Sequence, residues 1–417
     1  MDYADRGKLG IVYGDVTLGV HGEDFHLIFS YQTGGLESMV KHGKEWLYRT
    51  PKPTFWRATT DNDRGNGFPF RAGMWMTADM FQKCVDIQVR IDGTRIEKPS
   101  APVNNKYSDK ETAERVEVIF TYETLTVPST QVKVSYLVFA DGNVRVRAHY
   151  YGKEGMPELP AFGMRFVMPT KADGFVYEGL SGETYPDRKA GGIHGIYEVE
   201  GLPVTPYLVP QECGMHMDTE WVTVKRSTVL DNRNRHIEQS GLTFRAGSEI
   251  NHSTFAFSCL PYTAEELENA THQEELPPER RTVLCIYGAV RGVGGIDSWG
   301  SDVEEQYRIP GNKDIEVEFM HYSAKLMKCE PQICKYLGIT LLPQAGVALG
   351  MCVTARSLGA EGDLIRNITL FAILIYELVG PLLTKMALQA AGEIHPMEDA
   401  VKNRRQINLE KANAEKK

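Results

Sequence analysis

Between Asp24 and Tyr31 the chain reads DFHLIFSY, with Phe25, Leu27 and Phe29 on every second position. That spacing puts all three on one side of an extended strand, whereas a helix would scatter them. The alternation returns in ERVEVIFTY (114–122), TQVKVSYLVFADGNVRVRAHYYG (130–152), EWVTVKRSTVL (220–230), STFAFSCL (253–260) and RTVLCIYGAV (281–290). Asp141-Gly142, between two such runs, has the chemistry of a hairpin turn. Proline and glycine clusters such as GMPELPAFG (155–163) and GLPVTPYLVPQE (201–212) read as loops. The expectation up to about residue 322 is a large antiparallel β-sandwich with long connections. A helix is expected within TAEELENATHQEEL (263–276), with Thr263 as N-cap and Glu265 and Glu266 in the first turn. No repeat of about 20–50 residues is visible, which disfavours a propeller or solenoid.

The 417 residues leave room for two or three domains, or for one large β domain with an appendage. Lys and Arg number 46 against 55 Asp and Glu, a net charge of −9. That balance argues against a nucleic-acid partner, whose phosphates call for a basic face. The opening MDYADRGKLGIVYGD has neither the basic n-region nor the apolar h-region of a secretory leader. Seven cysteines without a framework fit reduced thiols and a cytoplasmic setting. Cys329 and Cys334 form the only close pair and have no matching second pair, so no metal site is expected in this chain.

After DIEVEFMHYSAKLMKCEPQIC (314–334) the texture changes. YLGITLLPQAGVALGMCVTA (336–355) and NITLFAILIYELVGPLLTKMAL (367–388) are largely apolar, and each approaches the roughly 20 residues that cross a bilayer as a helix. Pro343 and Gly380-Pro381 are tolerated in packed membrane helices better than in soluble ones. The division is therefore a β-sandwich domain over 1–322, a junction over 323–334, an α-helical hydrophobic hairpin over 335–394 and a charged, solvated tail over 395–417.

Five separated blocks carry a resemblance: PTFWRATTDNDRGNG (53–67), LSGETYPDRKAG (180–191), YLVPQECGMH (207–216), LENATHQEELP (267–277) and RGVGGIDSWG (291–300). In that order they resemble the small subunit of the two-chain β-galactosidases of lactic acid bacteria. They are also similar to the C-terminal domain of the single-chain β-galactosidases of glycoside hydrolase family 2. The resemblance spans residues 1 to about 321 and implies a galactose-mutarotase-like supersandwich. Residues 335–394 instead resemble the last two membrane helices of monovalent cation/proton antiporters, without the core helices such transporters need. Two readings of that tail stand: a membrane anchor through residues 335–385, or a piece of an unrelated gene joined to this one. The second is preferred, because the family's small subunit ends where DIEVEFMHYS ends.

Retaining hydrolysis of a β-galactoside needs two carboxyl groups about 5–5.5 Å apart. The resemblance implies that a central (β/α)₈ barrel holds them together with magnesium, and this chain has no alternating βα pattern. No catalytic residue is therefore expected here. Activity would require a large partner subunit supplying barrel, carboxylates and metal, and the substrate would be a terminal β-galactoside such as lactose. The resemblance further implies that Trp299 reaches into the mouth of that borrowed site and offers its face to a sugar, a task that suits an indole. Asp297 and Ser298 suit a turn that holds the ring's direction. The glycines before it do not read as a phosphate cradle, since no lysine follows them.

Arg57, Asp61, Asn62 and Asp63 are further candidates for lining the mouth. The same residues suit an Asx-rich turn closed by an Arg–carboxylate pair, which is the preferred reading. Asp187 and Arg188 are read as a structural bridge within or across loops. Glu212 with His216, and Glu268 with His272, have a spacing that would place an acid/base pair on one face of a helix. They are read mainly as structural histidines. A stand-alone carbohydrate-binding or aldose mutarotase-like protein on the same fold is the alternative function, and it would need such a pair to converge.

Overall fold

A computed structural model describes residues 7–97, 111–230, 239–247, 254–298, 300–324, 367–371 and 385–386. The chain divides into two units, Met1–Leu326 and Met327–Lys417. In the second, residues 367–371 and 385–386 are helical. The rest of the expected hydrophobic hairpin, the Cys329–Cys334 pair and the charged tail lie outside the described residues. Among the described residues no helix is long and apolar enough to cross a membrane.

The first unit is built from antiparallel strands in three sheets. The largest has ten strands. In spatial order they are His194–Glu200, Gly174–Leu180, Trp221–Arg226, Ser240–Ala246, Ile315–Ala324, Val144–Tyr150, Gln131–Phe139, Arg115–Glu123, Lys83–Ile91 and Thr94–Ile96. A six-stranded sheet holds the first five strands of the chain, from Leu9–Tyr13 to Lys44–Glu45, with Thr112–Ala113 at its edge. A five-stranded sheet runs Met215–Thr219, Phe255–Leu260, Thr282–Val290, Ala161–Met168 and Arg49–Thr54.

Every alternating run noted in the sequence contributes a strand, and the buried residues fall where the alternation puts them. In Phe25–Ser30 the side chains of Phe25, Leu27 and Phe29 are buried while His26 is exposed. In Arg115–Glu123 the buried set is Val116, Val118, Phe120, Thr121 and Tyr122, an alternation that thickens towards its end. Gly142 takes a φ of 85° at the hairpin expected from Asp141-Gly142. Phe255–Leu260 is buried at all six positions, as befits a strand enclosed on both faces.

Residues directly opposite in an antiparallel ladder share a face. Val118, Tyr136, Val146, Phe319 and Ala246 therefore form one row across the large sheet. Phe29 of the six-stranded sheet packs on Tyr136 at 5.7 Å between ring centroids. Phe166 of the five-stranded sheet packs on Phe319 at 5.9 Å and on Phe244 at 5.2 Å. Both smaller sheets thus sit on the same face of the ten-stranded one, and the core lies between.

The strand Ile315–Ala324 is the last of this unit, yet it occupies the middle of the large sheet. It pairs with Val144–Tyr150 on one side and Ser240–Ala246 on the other. It thereby joins a half made from residues 83–150 to a half made from residues 174–246. Phe319 is fully buried at that seam. Replacing it by Ala should destabilise the unit by about 3–5 kcal/mol, the range for a buried aromatic. Urea unfolding measures this, and a loss below about 1 kcal/mol would contradict the central place given to the strand.

Candidate functional site

Thr60 caps the short helix Asp61–Gly65, and the cap explains why a carboxylate sits at position 63. The Asp63 N–H donates to Thr60 Oγ1 at 3.2 Å, and Asp63 Oδ2 accepts from the Thr60 N–H at 3.0 Å. This reciprocal box satisfies two backbone donors at once. The same carboxylate also faces two guanidinium groups. Arg57 Nη1 donates to its Oδ2 at 2.7 Å, and Arg291 Nη1 donates to its Oδ1 at 3.3 Å. All three side chains are fully buried. Burial pushes the Asp63 carboxyl up, but Arg57, the Thr60 N–H and Arg291 outweigh it and hold the group below the usual carboxylate range. Arg291 is balanced further by Asp302 at 2.6 Å and Glu158 at 3.5 Å, and lies 3.9 Å from the centre of the Phe68 ring.

This charge cluster ties residues 53–67 to residues 291–303. Arg57 Nη2 donates to the Gly292 carbonyl at 2.8 Å, and Asn62 Nδ2 to the Val293 carbonyl at 3.0 Å. From the third block, Asp187 accepts the Val293 and Gly294 N–H groups at 3.0 and 2.8 Å, and Arg188 donates to the Gly294 carbonyl. A Cβ at Gly292 would stand 2.8 Å from Asp187 Cγ, so only glycine lets the carboxylate approach. Gly294 turns the chain with a φ of 71°. Beyond it, Asp297 accepts from the Ser301 N–H at 3.2 Å and from the Ser301 hydroxyl. Ser298 is exposed. Trp299 itself lies outside the described residues.

The two remaining blocks join the same cluster. The Asp61 N–H donates to Gln211 Oε1 at 2.9 Å, and Arg64 Nη2 donates to the Pro210 carbonyl at 3.2 Å. Glu268 accepts from the Thr59 N–H at 2.6 Å and from its hydroxyl at 2.7 Å. Gln273 donates to the Tyr207 carbonyl. The Thr184 N–H donates to the Met215 carbonyl at 2.8 Å. All five blocks, scattered over some 250 positions, thus form one hydrogen-bonded loop cluster.

Several expectations need correction. Arg57 and Asp63 form the Arg–carboxylate pair of the preferred reading and are enclosed, so their candidacy for lining the mouth is the part corrected. Asn62 is half-buried and tethers Val293, leaving Asp61 as the one exposed side chain of that group. The expected helix is Ala264–Asn269, capped by Thr263 with Glu266 completing the box, and it ends before His272. Glu268 therefore turns to Thr59, while His272 contacts Thr271 and Glu275. Glu212 and His216 also part company. His216 lies among Tyr177, Phe175 and Phe257, with its ring stacked 4.8 Å from that of Phe257. Burial lowers its pKa to about 4, so it is neutral near pH 7.

Glu212 is buried beside Arg57 and accepts from the Ala58 N–H. Burial pushes its carboxyl up to about 8; Arg57 pulls the other way and Glu183 adds to the rise. Two important residues were not singled out by sequence reasoning, Arg291 and Gln211. The only signal for Arg291 was its place at the head of the glycine-rich block. Among the described residues no three His, Cys, Asp or Glu side chains gather as a metal site requires, so none is assigned to magnesium.

Comparison with known proteins fits this arrangement. Residues 21–321 match the family described as beta galactosidase small chain. The chain belongs to the β-galactosidase small-chain family. It is 62% identical over 312 residues to the beta-galactosidase small subunit of Latilactobacillus sakei, covering 75% of this chain and 97% of that one. It is 36% identical over 320 residues to a beta-galactosidase of Halalkalibacterium halodurans, of whose length it spans only 28%. Among solved structures it is similar to a galactose mutarotase-like protein from Lactobacillus casei, at 10% identity and a TM-score of 0.33 over 74% of this chain and 100% of that one. Within the family domain, the protonated Glu212 makes a clear prediction. A carboxyl with a raised native pKa contributes stability that is complete below its unfolded value of 4.5 and is lost as pH rises towards about 8. Glu212→Gln, which copies the protonated form, should remove that loss, at most about 1.4 kcal/mol per pH unit. In urea unfolding the gap between the proteins should move in favour of the variant as pH rises, and a constant gap would contradict the assignment.

Proposed function

We propose that this chain is the accessory, small subunit of a heteromeric β-galactosidase acting on terminal β-D-galactosides such as lactose. The observation that supports the reading is that two of the family blocks, 53–67 and 180–191, bond directly to the glycine-rich loop, while the other two bond to 53–67. The bonds at residues 292–294 fasten the backbone that leads to Trp299. An indole there can lay its face on the C–H face of a pyranose, while its ring N–H stays free for a polar neighbour.

The carboxyl groups around that loop have other work. Asp63 binds two arginines, Asp187 binds two backbone N–H groups, Glu212 is enclosed, and Glu268 holds Thr59. The catalytic pair is therefore assigned to a large partner subunit, together with the magnesium expected there. The paired sheets are read as the supersandwich of this family, and the setting as cytoplasmic. The chain's own contribution is binding: it completes the sugar-accepting mouth and positions Trp299 in it.

Hydrolysis of nitrophenyl-β-galactoside tests this. The chain alone should be inactive, and mixing it with a large subunit from a lactic acid bacterium should restore activity. Trp299→Ala in that mixture should raise KM about three- to tenfold, the worth of one aromatic stack. Hydrolysis by the lone chain would contradict the assignment of both carboxylates elsewhere.

A further inference from the structure

The first unit also carries a cleft of about 450 Å³, within the range of about 300–1,000 Å³ that holds small molecules. The strand His194–Glu200 ends on it with Glu200, and the chain then turns at Gly201, with a φ of 66°, to bring Val204 into the wall. Tyr262 enters just before the helix Ala264–Asn269, and Leu276 and Glu279 enter from the stretch after it. Lys171 lines the cleft as well and is paired with Glu279.

Floor and rim differ in chemistry. Tyr262 belongs to a small apolar cluster of buried residues, and Val204 and Leu276 pack against that cluster. The Tyr262 side chain is buried, yet its hydroxyl takes no hydrogen-bond partner among the described residues. Burial and the neighbouring Glu279 carboxylate both raise its phenol above the ordinary value, so it keeps its proton and remains a donor near pH 7. Glu200 is exposed, and its carboxylate also takes no hydrogen-bond partner among the described residues. The rim thus sets one ammonium and two carboxylates around an apolar floor.

A mixed rim of this kind selects for hydroxyl groups, because each can both donate and accept. An anionic ligand would meet Glu200 and Glu279, and a cationic one would meet Lys171. A pyranose satisfies the rim with its hydroxyls and the floor with its apolar C–H face. We infer that this cleft is a binding site for a neutral pyranoside. The inference does not depend on the accessory-subunit reading: the cleft is built from this chain's own described residues and needs no partner to be complete.

The test is a titration of the full chain alone with methyl β-D-galactoside, followed by ligand-observed NMR. A ligand of that size in an open site should bind with a Kd of about 1–10 mM. Glu200→Ala removes an exposed acceptor and Tyr262→Phe removes only a hydroxyl, so both variants should unfold in urea much as the parent does. Each should weaken binding about fivefold, the worth of one hydrogen bond. Galacturonate and, at pH 6, galactosamine should bind more weakly than the neutral sugar, since each brings a charge that the rim opposes. Absence of binding up to about 100 mM sugar would overturn the inference. Binding that neither substitution weakens would overturn it too, because the sugar would then sit elsewhere on the chain. Tighter binding of either charged sugar would overturn the ligand class assigned to the cleft.

Discussion

One buried carboxylate, that of Asp63, holds the cluster of loops from the five family blocks together. It caps its own helix through Thr60 and sits between the guanidinium groups of Arg57 and Arg291, with all three side chains cut off from solvent. A charge buried without its partner is strongly unfavourable, so the three groups stand or fall as a set. Arg57 and Asp63 lie on the segment that leaves the strand Arg49–Thr54, and Arg291 lies just beyond the strand Thr282–Val290. A contact between residues 228 positions apart thus decides how the glycine-rich loop leaves the sheet.

The architecture supplies a stiff base for that loop. Four of the five blocks adjoin strands of the five-stranded sheet, and the fifth follows Gly174–Leu180 of the ten-stranded one. The loop therefore inherits its position from packed strands, and side-chain bonds set its detail. Such an arrangement suits a chain that contributes binding without chemistry. A loop backbone held in place before any partner arrives loses less freedom on binding, which is the general advantage of preorganisation. The carboxylates near the loop are committed to N–H groups and arginines in the same way.

How much of this was legible in the sequence depended on the range of the interaction. Strands such as Phe25–Ser30 and Arg115–Glu123 were legible because alternation is local and burial follows it. The Thr263 cap was legible for the same reason, but the length of its helix was not. The backbone turns extended at Ala270, with ψ of 127°, and this separates Glu268 from His272. The Arg57–Asp63 pair could be anticipated from six residues of separation. Arg291, Gln211 and the grip of Asp187 on Val293 could not, because each joins loops more than a hundred positions apart. Nothing local announced that the final strand, Ile315–Ala324, would occupy the middle of the largest sheet. The preferred reading of Arg57 and Asp63, an Arg–carboxylate pair closing a turn, matches what the fold encloses, whereas their candidacy for lining the mouth does not.

The central claim is that the loop bearing Trp299 is already set in this chain before any partner binds. Amide hydrogen exchange on the isolated chain tests it most directly, read at Val293 and Gly294, whose N–H groups donate to Asp187. The account predicts slow exchange at both amides in the free chain, changed little by adding the large subunit. Fast exchange that slows only in the complex would contradict it, and would mean that the partner orders the loop.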